Sequence, residues 1–275
     1  MRKFFATGAI ALSTALTASL VAGPAAVAAD EIELPKLHWH FEGPFGTYDR
    51  AAAQRGFQIY KEVCSACHSM SLMAYRNLME IGLTENQVKG LIADIQVPDI
   101  GDDGAPIERP ARLSDHFRKP FANALAAAAA NGGKAPPDLS VIIKAREDGA
   151  NYVHGLLTGY VDYNGLSPDA KAALNKQLDI DPNTFMFGKD DNFNKYFPGH
   201  RIAMPPPLAD DKVTYIDGVK PTLDQESRDV VEFLAFASEP HLEDRNRVGI
   251  RVILFLLVLA GFMYAVKRQV WADKH

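Results

Sequence analysis

Residues 64–68 read Cys64-Ser65-Ala66-Cys67-His68, and they use both cysteines of this 275-residue chain. That excludes a disulfide framework, a cysteine-rich zinc site and an iron–sulfur cluster. A thiol–disulfide pair needs no trailing histidine and normally sits in a βαβ setting, which the flanking sequence lacks. C-x-x-C-H is the attachment pattern of a c-type haem: two thiols add across the vinyl groups, and the next residue reaches the iron. One helical turn puts Cys64, Cys67 and His68 on neighbouring faces. A haem at the centre of a core also lets a loop-rich chain order itself.

Residues 1–29 have the three parts of a cleaved secretory signal peptide. Arg2 and Lys3 form the charged start, Phe4 to Val21 are apolar or small, and Ala26-Val27-Ala28-Ala29 offers small-residue cleavage sites. Cleavage would remove two basic residues and no acidic one, taking the formal charge from −5 to −7. Such an acidic exported body has no electrostatic case for binding nucleic acid and would attract a basic soluble partner. Near the other end, Val248 to Val266 contains Arg251 as its one charged residue. This is about the length a bilayer requires if Arg251 snorkels to the headgroups. Arg245 and Arg247 precede the span; Lys267, Arg268 and Trp271 follow it. With an exported body at residues 30–245, the tail at 267–275 is expected to be cytoplasmic. The site is then an inner membrane crossed once, with the body in the periplasm.

The body reads as mainly α, with long irregular insertions. Asp49 is placed to cap a helix running through Ala51, Phe57 and Tyr60 into the cysteine motif. Residues 94–120, rich in Pro, Gly and Asp, predict irregular structure. Ala122–Ala130 predicts a short helix stopped by Asn131-Gly132-Gly133. Asp138 is a candidate cap for a helix through Val141, Ile142 and Ala145, and another helix is expected over Ala150–Leu157. Ser167 caps one over Pro168–Leu178. Asp181–Pro207 carries little helical periodicity. Lys212–Ile216 against Val219–Leu223 gives a weak strand signal, and Asp224–Ala237 returns to clear three-four spacing.

One axial ligand leaves a haem iron open, whereas two make an electron carrier. Downstream candidates are Met186 and Met204 and the histidines 116, 154, 200 and 241. Met204 precedes Pro205-Pro206-Pro207, which would hold a weak thioether ligand at little ordering cost, so spacing favours it. Met70, Met73 and Met79 lie too near His68 to cross to the other haem face and predict packing roles.

Several runs together resemble the cytochrome c1 family, the haem subunits of cytochrome bc1 complexes, from about Leu34 to Trp271. They are Cys64-Ser65-Ala66-Cys67-His68-Ser69-Met70, the run from Asn131 to Ser140, Leu156-Leu157-Thr158-Gly159-Tyr160, and Tyr196-Phe197-Pro198-Gly199 leading to Ile202-Ala203-Met204. Glu239-Pro240 before an anchor ending Tyr264-Ala265-Val266-Lys267-Arg268 also matches, and the leader and short tail look proteobacterial. The resemblance implies one covalent haem c on Cys64 and Cys67, with His68 and Met204 as axial ligands. It implies Arg146 and Tyr152 as contacts to a haem propionate, where an Arg fork suits a carboxylate. Some bacterial members carry a further disulfide near the Met-ligand region, for which this chain has no cysteine. His200-Arg201 is unusually basic for the approach to the ligand loop.

The implied function is one-electron transfer from a Rieske iron–sulfur protein, through the haem, to a soluble c-type cytochrome, alongside cytochrome b in the membrane. The chain would make and break no substrate bond itself. Met/His ligation suits a carrier at the oxidising end of a chain. Asp102, Asp103, Glu108, Asp190, Asp191, Asp210 and Asp211 are candidates for an acidic docking surface. Two other functions compete. A free-standing anchored shuttle would need a flexible linker that His241–Arg247 is too short to supply. A haem enzyme or gas sensor would need an open iron, against which Met204 argues.

Overall fold

The structure, a computed structural model, describes residues 32–188 and 191–272. The expected leader and Asp190 lie outside the described residues. The chain is mainly helical, as its patterning implies. Asp49 caps α1 (Arg50–Glu62) by accepting from the Ala51 and Ala52 amides. α2 (Glu85–Ile92) starts on a Thr84–Gln87 capping box, and α3 (Ala124–Ala130) on Asn123. α4 (Gly149–Thr158) and the Ser167-capped α5 (Pro168–Gln177) follow. α6 (Leu223–Ser238) is capped by Thr222, and α7 (Leu242–Trp271) is a single 30-residue helix.

α1 and α6 form the centre. Gly56 lets them approach, because a Cβ there would overlap the Asp229 carbonyl oxygen. Phe57 and Tyr60 of α1 pack on Phe233 of α6 with ring centroids 5.5 and 5.9 Å apart. Phe117 joins them from the segment after the cysteine motif, stacked on Tyr75 at 4.9 Å. α6 is nearly all buried, including Asp229, whose charge is answered bidentately by Arg55 of α1 at 2.8 Å on both oxygens. α4 lies against α6, with His154 Nδ1 3.0 Å from Ser227 Oγ.

Three expectations are corrected. Residues 94–120 are not wholly irregular: β1 (Gln96–Ile100) and β2 (Pro106–Pro110) pair antiparallel. In a two-stranded ribbon every strand is an edge, so the missing N–H groups of Pro98, Pro106 and Pro110 are tolerated. Residues 139–148 form successive turns instead of a helix, because Asp138 is engaged by residues 69–71 as well as by its own chain. Residues 212–223 form no strands. The Val213 and Leu223 amides go to Glu226 and Asp210 side chains, and the Asp211 amide goes to the Pro221 carbonyl. Within Asp181–Pro207 lie β4 (Asn192–Asn194) and β5 (Arg201–Ile202), joined with β3 (Tyr160–Val161) in the order β3-β4-β5.

Candidate haem-binding site

α1 hands the chain directly to the cysteine motif. After the last helical turn the backbone tightens into a 3-10 turn over Cys64–Ala66, and the Cys67 and His68 amides both donate to the Cys64 carbonyl at 3.1 and 2.9 Å. The Tyr60 hydroxyl donates to the His68 carbonyl at 3.2 Å. Both thiols are free and stand for the thioether sulfurs of an attached state. Burial, with a smaller push from Cys67, moves the Cys64 thiol up to about 12.

His68 Nδ1 lies 2.8 Å from the Pro137 carbonyl oxygen. A carbonyl can only accept, so Nδ1 carries the hydrogen and Nε2 keeps its lone pair. This is the orienting bond that metal-ligating histidines make. Burial is the largest influence on the ring and lowers its pKa, against opposing effects of the Pro137 carbonyl and Asp138. The neutral form that a metal requires is thereby favoured.

The Pro137 carbonyl is itself held. Asp138 Oδ2 accepts from Ser69 Oγ at 2.8 Å and from the Ser71 amide at 2.9 Å, while Oδ1 accepts from the Ser140 amide at 2.8 Å. The Leu139 amide donates to the Ser69 carbonyl at 2.9 Å, and the Leu72 amide to Ser140 Oγ at 3.0 Å. Burial works to raise the Asp138 pKa, but the hydrogen bonds from Ser140 and Ser71 outweigh it and hold the carboxyl well below the usual carboxylate range. Residues 137–140 are thus clamped onto the residues that follow His68. The sequence predicts Asp138 as a helix cap, and the structure uses it as a clamp instead; the Pro136-Pro137 pair just before it is the sequence signal of a fixed carbonyl.

Met204 is half-buried and leaves β5 into the Pro205–Pro207 run. Its carbonyl accepts from the Tyr160 hydroxyl of β3 at 3.1 Å, and Asn192 of β4 donates to the Ile202 and Ala203 carbonyls at 3.3 and 3.4 Å. The small sheet therefore positions the Met204 loop, a role for Tyr160 and Asn192 that local patterning did not reveal. The competing candidates are placed otherwise. Met186 is 78% exposed. His154 is buried between Ser227 and Asp224, and His200 Nδ1 faces the Asn194 carbonyl at 3.2 Å. His116 and His241 are exposed, while Met70 and Met73 are core residues. Arg201 is neutralised by Asp191 at 3.1 Å, which answers the basic character of its run.

Arg146 is exposed and donates to the neighbouring Ala145 carbonyl at 3.0 Å. Tyr152 is half-buried on α4, packed against the core and close to the Tyr160 phenol. Of the acidic docking candidates, Asp191 and Glu108 pair with Arg201 and Arg118, and Asp210 accepts the Leu223 amide. Asp102, Asp103 and Asp211 are exposed. Among the described residues no cluster of three or more His, Cys, Asp or Glu could hold another metal. Two thiols, an imidazole and a thioether are the donor types that a Met/His c-type haem uses.

α7 has a mean hydropathy of 2.3 over its most apolar window, none of it buried, and is long enough to cross a membrane. The Cytochrome C1 family matches residues 39–274. Cytochrome c1 of Rhodospirillum rubrum is 46% identical over 249 residues, covering 89% of this chain and 90% of that protein. A Bradyrhizobium diazoefficiens protein named cytochrome b/c1 is 45% identical over 246 residues, covering 88% of this chain and 36% of that longer protein. A mitochondrial cytochrome c1 haem protein of Arabidopsis thaliana is 42% identical over 266 residues, covering 95% of this chain and 80% of that protein. With the C-x-x-C-H turn and the tethered His68 on one framework, the chain belongs to the cytochrome c1 family.

Proposed function

We infer that this chain is the haem-carrying, one-electron-transfer subunit of a quinol:cytochrome c oxidoreductase, the bc1 complex. The observation that carries this is His68, fixed through Nδ1 to the Pro137 carbonyl immediately after two free thiols, in a chain of this family. Cys64 and Cys67 would hold haem c covalently, His68 and Met204 would ligate the iron, and Arg146 and Tyr152 would face a propionate. When bound, haem c supplies a reversible one-electron step at iron. The chain's own residues keep the imidazole neutral and oriented, hold the thioether loop, and form and break no substrate bond.

Cytochrome b and a Rieske iron–sulfur protein are the complex partners, and relatives bear the names cytochrome b/c1 and cytochrome b-c1 complex catalytic subunit. Electrons would arrive from the Rieske protein and leave to a soluble c-type cytochrome. The body would face the periplasm after loss of residues 1–29, with 248–266 in the inner membrane and 267–275 in the cytoplasm.

The joint between body and anchor argues against a free shuttle. Glu243 of α7 accepts from the Tyr48 amide at 2.8 Å and pairs bidentately with Arg50 at 2.9 and 2.8 Å. Glu239 receives Arg245 at 2.6 Å and Lys144 at 2.9 Å. A tether pinned in this way gives no reach.

Purification in mild detergent should bring down cytochrome b and Rieske subunits, identified by mass spectrometry, and the intact mass of this chain should keep its haem after acid–acetone extraction. A haem that washes out overturns the attachment, and solitary purification overturns the complex. Reduction of a basic acceptor cytochrome should slow as ionic strength rises past the point where the Debye length falls to about 10 Å. A salt-independent rate would remove electrostatic steering by the acidic surface.

A further inference from the structure

A turn beside the root of the anchor carries an exposed aromatic residue that the haem function does not use. Gly43-Pro44-Phe45-Gly46 closes with the Gly46 amide donating to the Gly43 carbonyl at 3.2 Å. Phe45, at the tip, is 80% exposed. The turn is rigid. Gly43 sits at φ +79°, Pro44 fixes its own φ, and a Cβ on Gly46 would overlap the Phe41 carbonyl. Just outside it, the Thr47 amide donates to the His40 carbonyl at 2.9 Å. A single exposed apolar side chain is ordinary; here the position gives it meaning.

The segment climbs α7 toward the apolar span. Arg50 and Tyr48 both bind Glu243, whereas Gly43 receives Asn246 Nδ2 at 3.4 Å. Stepping back from residue 48 to residue 43 therefore advances three residues along α7, about 4.5 Å of helix rise. Val248, the first exposed apolar residue of the span, is about 3 Å further on by the same rise. The turn thus stands at the level where Arg245, Arg247 and Arg251, all exposed, would meet lipid headgroups. Aromatic and other apolar side chains flanked by basic residues are what the bilayer interface accommodates.

We propose that the Gly43–Gly46 turn is a second membrane contact, in which Phe45 enters the lipid interface beside the first turns of the α7 span. The proposal rests on α7 being the anchor. A lone helix leaves the body free to swivel about its axis; an off-axis contact fixes which face of the haem domain lies parallel to the membrane.

The test uses the full chain in its native membrane, with Phe45→p-benzoylphenylalanine, a close aromatic analogue, and a haem spectrum to verify folding. Val258, in the middle of the span, and Ile216, fully exposed beside Asp217, receive the same photoreactive residue as controls. After irradiation, intact mass should rise by one phospholipid at positions 45 and 258 and stay unchanged at 216. Lipid at 258 with none at 45 overturns the second contact and leaves the anchor standing. A cytochrome b adduct at 45 overturns it in favour of a protein neighbour. Absence of both lipid and a cytochrome b adduct at 258 overturns the anchor itself.

Discussion

Asp138→Ala should loosen the haem-motif clamp without touching any haem-binding atom. The carboxylate accepts three hydrogen bonds, two from backbone amides, at 2.8–2.9 Å. Bonds to a charged group contribute roughly 1.5–3 kcal/mol each, and they do not add when they share one acceptor. Ser69 Oγ can turn to water, so the Ser71 and Ser140 amides dominate the loss, and partial exposure of the site lowers it further. An overall cost of about 2–4 kcal/mol follows, or roughly 5–15 °C in Tm for a body of this size. Asp138→Asn is not a mild alternative, since one of its orientations faces an NH2 to the Ser140 amide and the other faces it to Ser71. The depressed pKa also sets a pH signature: the clamp's stabilisation is complete above the unfolded carboxylate value of about 3.9 and fades as pH falls below it. Thermal melts of the detergent-solubilised holo-protein from pH 3 to 7 measure both effects. A Tm loss in the alanine variant under about 2 °C at pH 7 would refute the clamp.

Met204→Leu should open the iron to carbon monoxide and lower the potential, because a soft neutral thioether favours the ferrous state. Met186→Leu should change neither, and the reverse pattern in optical titrations would reassign the ligand. Gly56→Ala should cost more than about 3 kcal/mol or abolish holo-protein accumulation, since a Cβ meets Asp229 backbone and the Phe233 Cβ across the α1–α6 contact; a normal melt would show that the helices can separate freely. Glu232, 3% exposed on α6 with Asp49's amide on Oε1, has its pKa raised to about 7 by burial and by the nearby Asp49 and Asp229 carboxylates. A carboxyl whose folded pKa lies above its unfolded value favours folding below the latter, so stability falls as pH rises from about 4.3 to about 7. Glu232→Gln keeps the acceptor and should recover on the order of 2–3 kcal/mol at pH 8 but little at pH 5; equal effects at both pH values would contradict the buried titration.

Local chemistry made much of this chain legible. Asp49 and Ser167 announce their helices because a short acceptor before an amphipathic run has one obvious use. The cysteine motif could be read because its chemistry is confined to one turn. The contact that orients His68 could not be, since Pro137 lies 69 residues away and acts through a backbone oxygen common to every residue. Only the proline run after Met204 favours it over Met186 locally; the β3–β4–β5 sheet separates them further by holding one loop and leaving the other side chain in solvent. The β1–β2 hairpin was hidden by prolines that forbid interior strands but not two-stranded edges. The strand signal at 212–223 failed for the opposite reason, as side-chain carboxylates had already taken the amides a ladder would need.

The same joint that excludes a shuttle also constrains how the haem is served. From Cys64 the path to the anchor runs back along α1 to Arg50 and Tyr48, and from there to Glu243 of α7. A second path runs from the Asp138 clamp through Lys144 to Glu239 and on to Arg245. Exposed ion pairs are weak singly, but Glu239 is 19% exposed and joins both basic residues at once. With α1 locked on α6 at Gly56, the haem motif cannot turn relative to α7 without breaking one of these paths. Electron transfer requires close approach, so donor and acceptor must come to a haem that is fixed on its anchor helix. Cutting the joint tests this. Glu243→Ala combined with Glu239→Ala should leave the haem spectrum unchanged yet slow electron delivery within the assembled complex more than it slows reduction of the soluble acceptor. Equal slowing of both would place the fault in the haem site and not in its orientation.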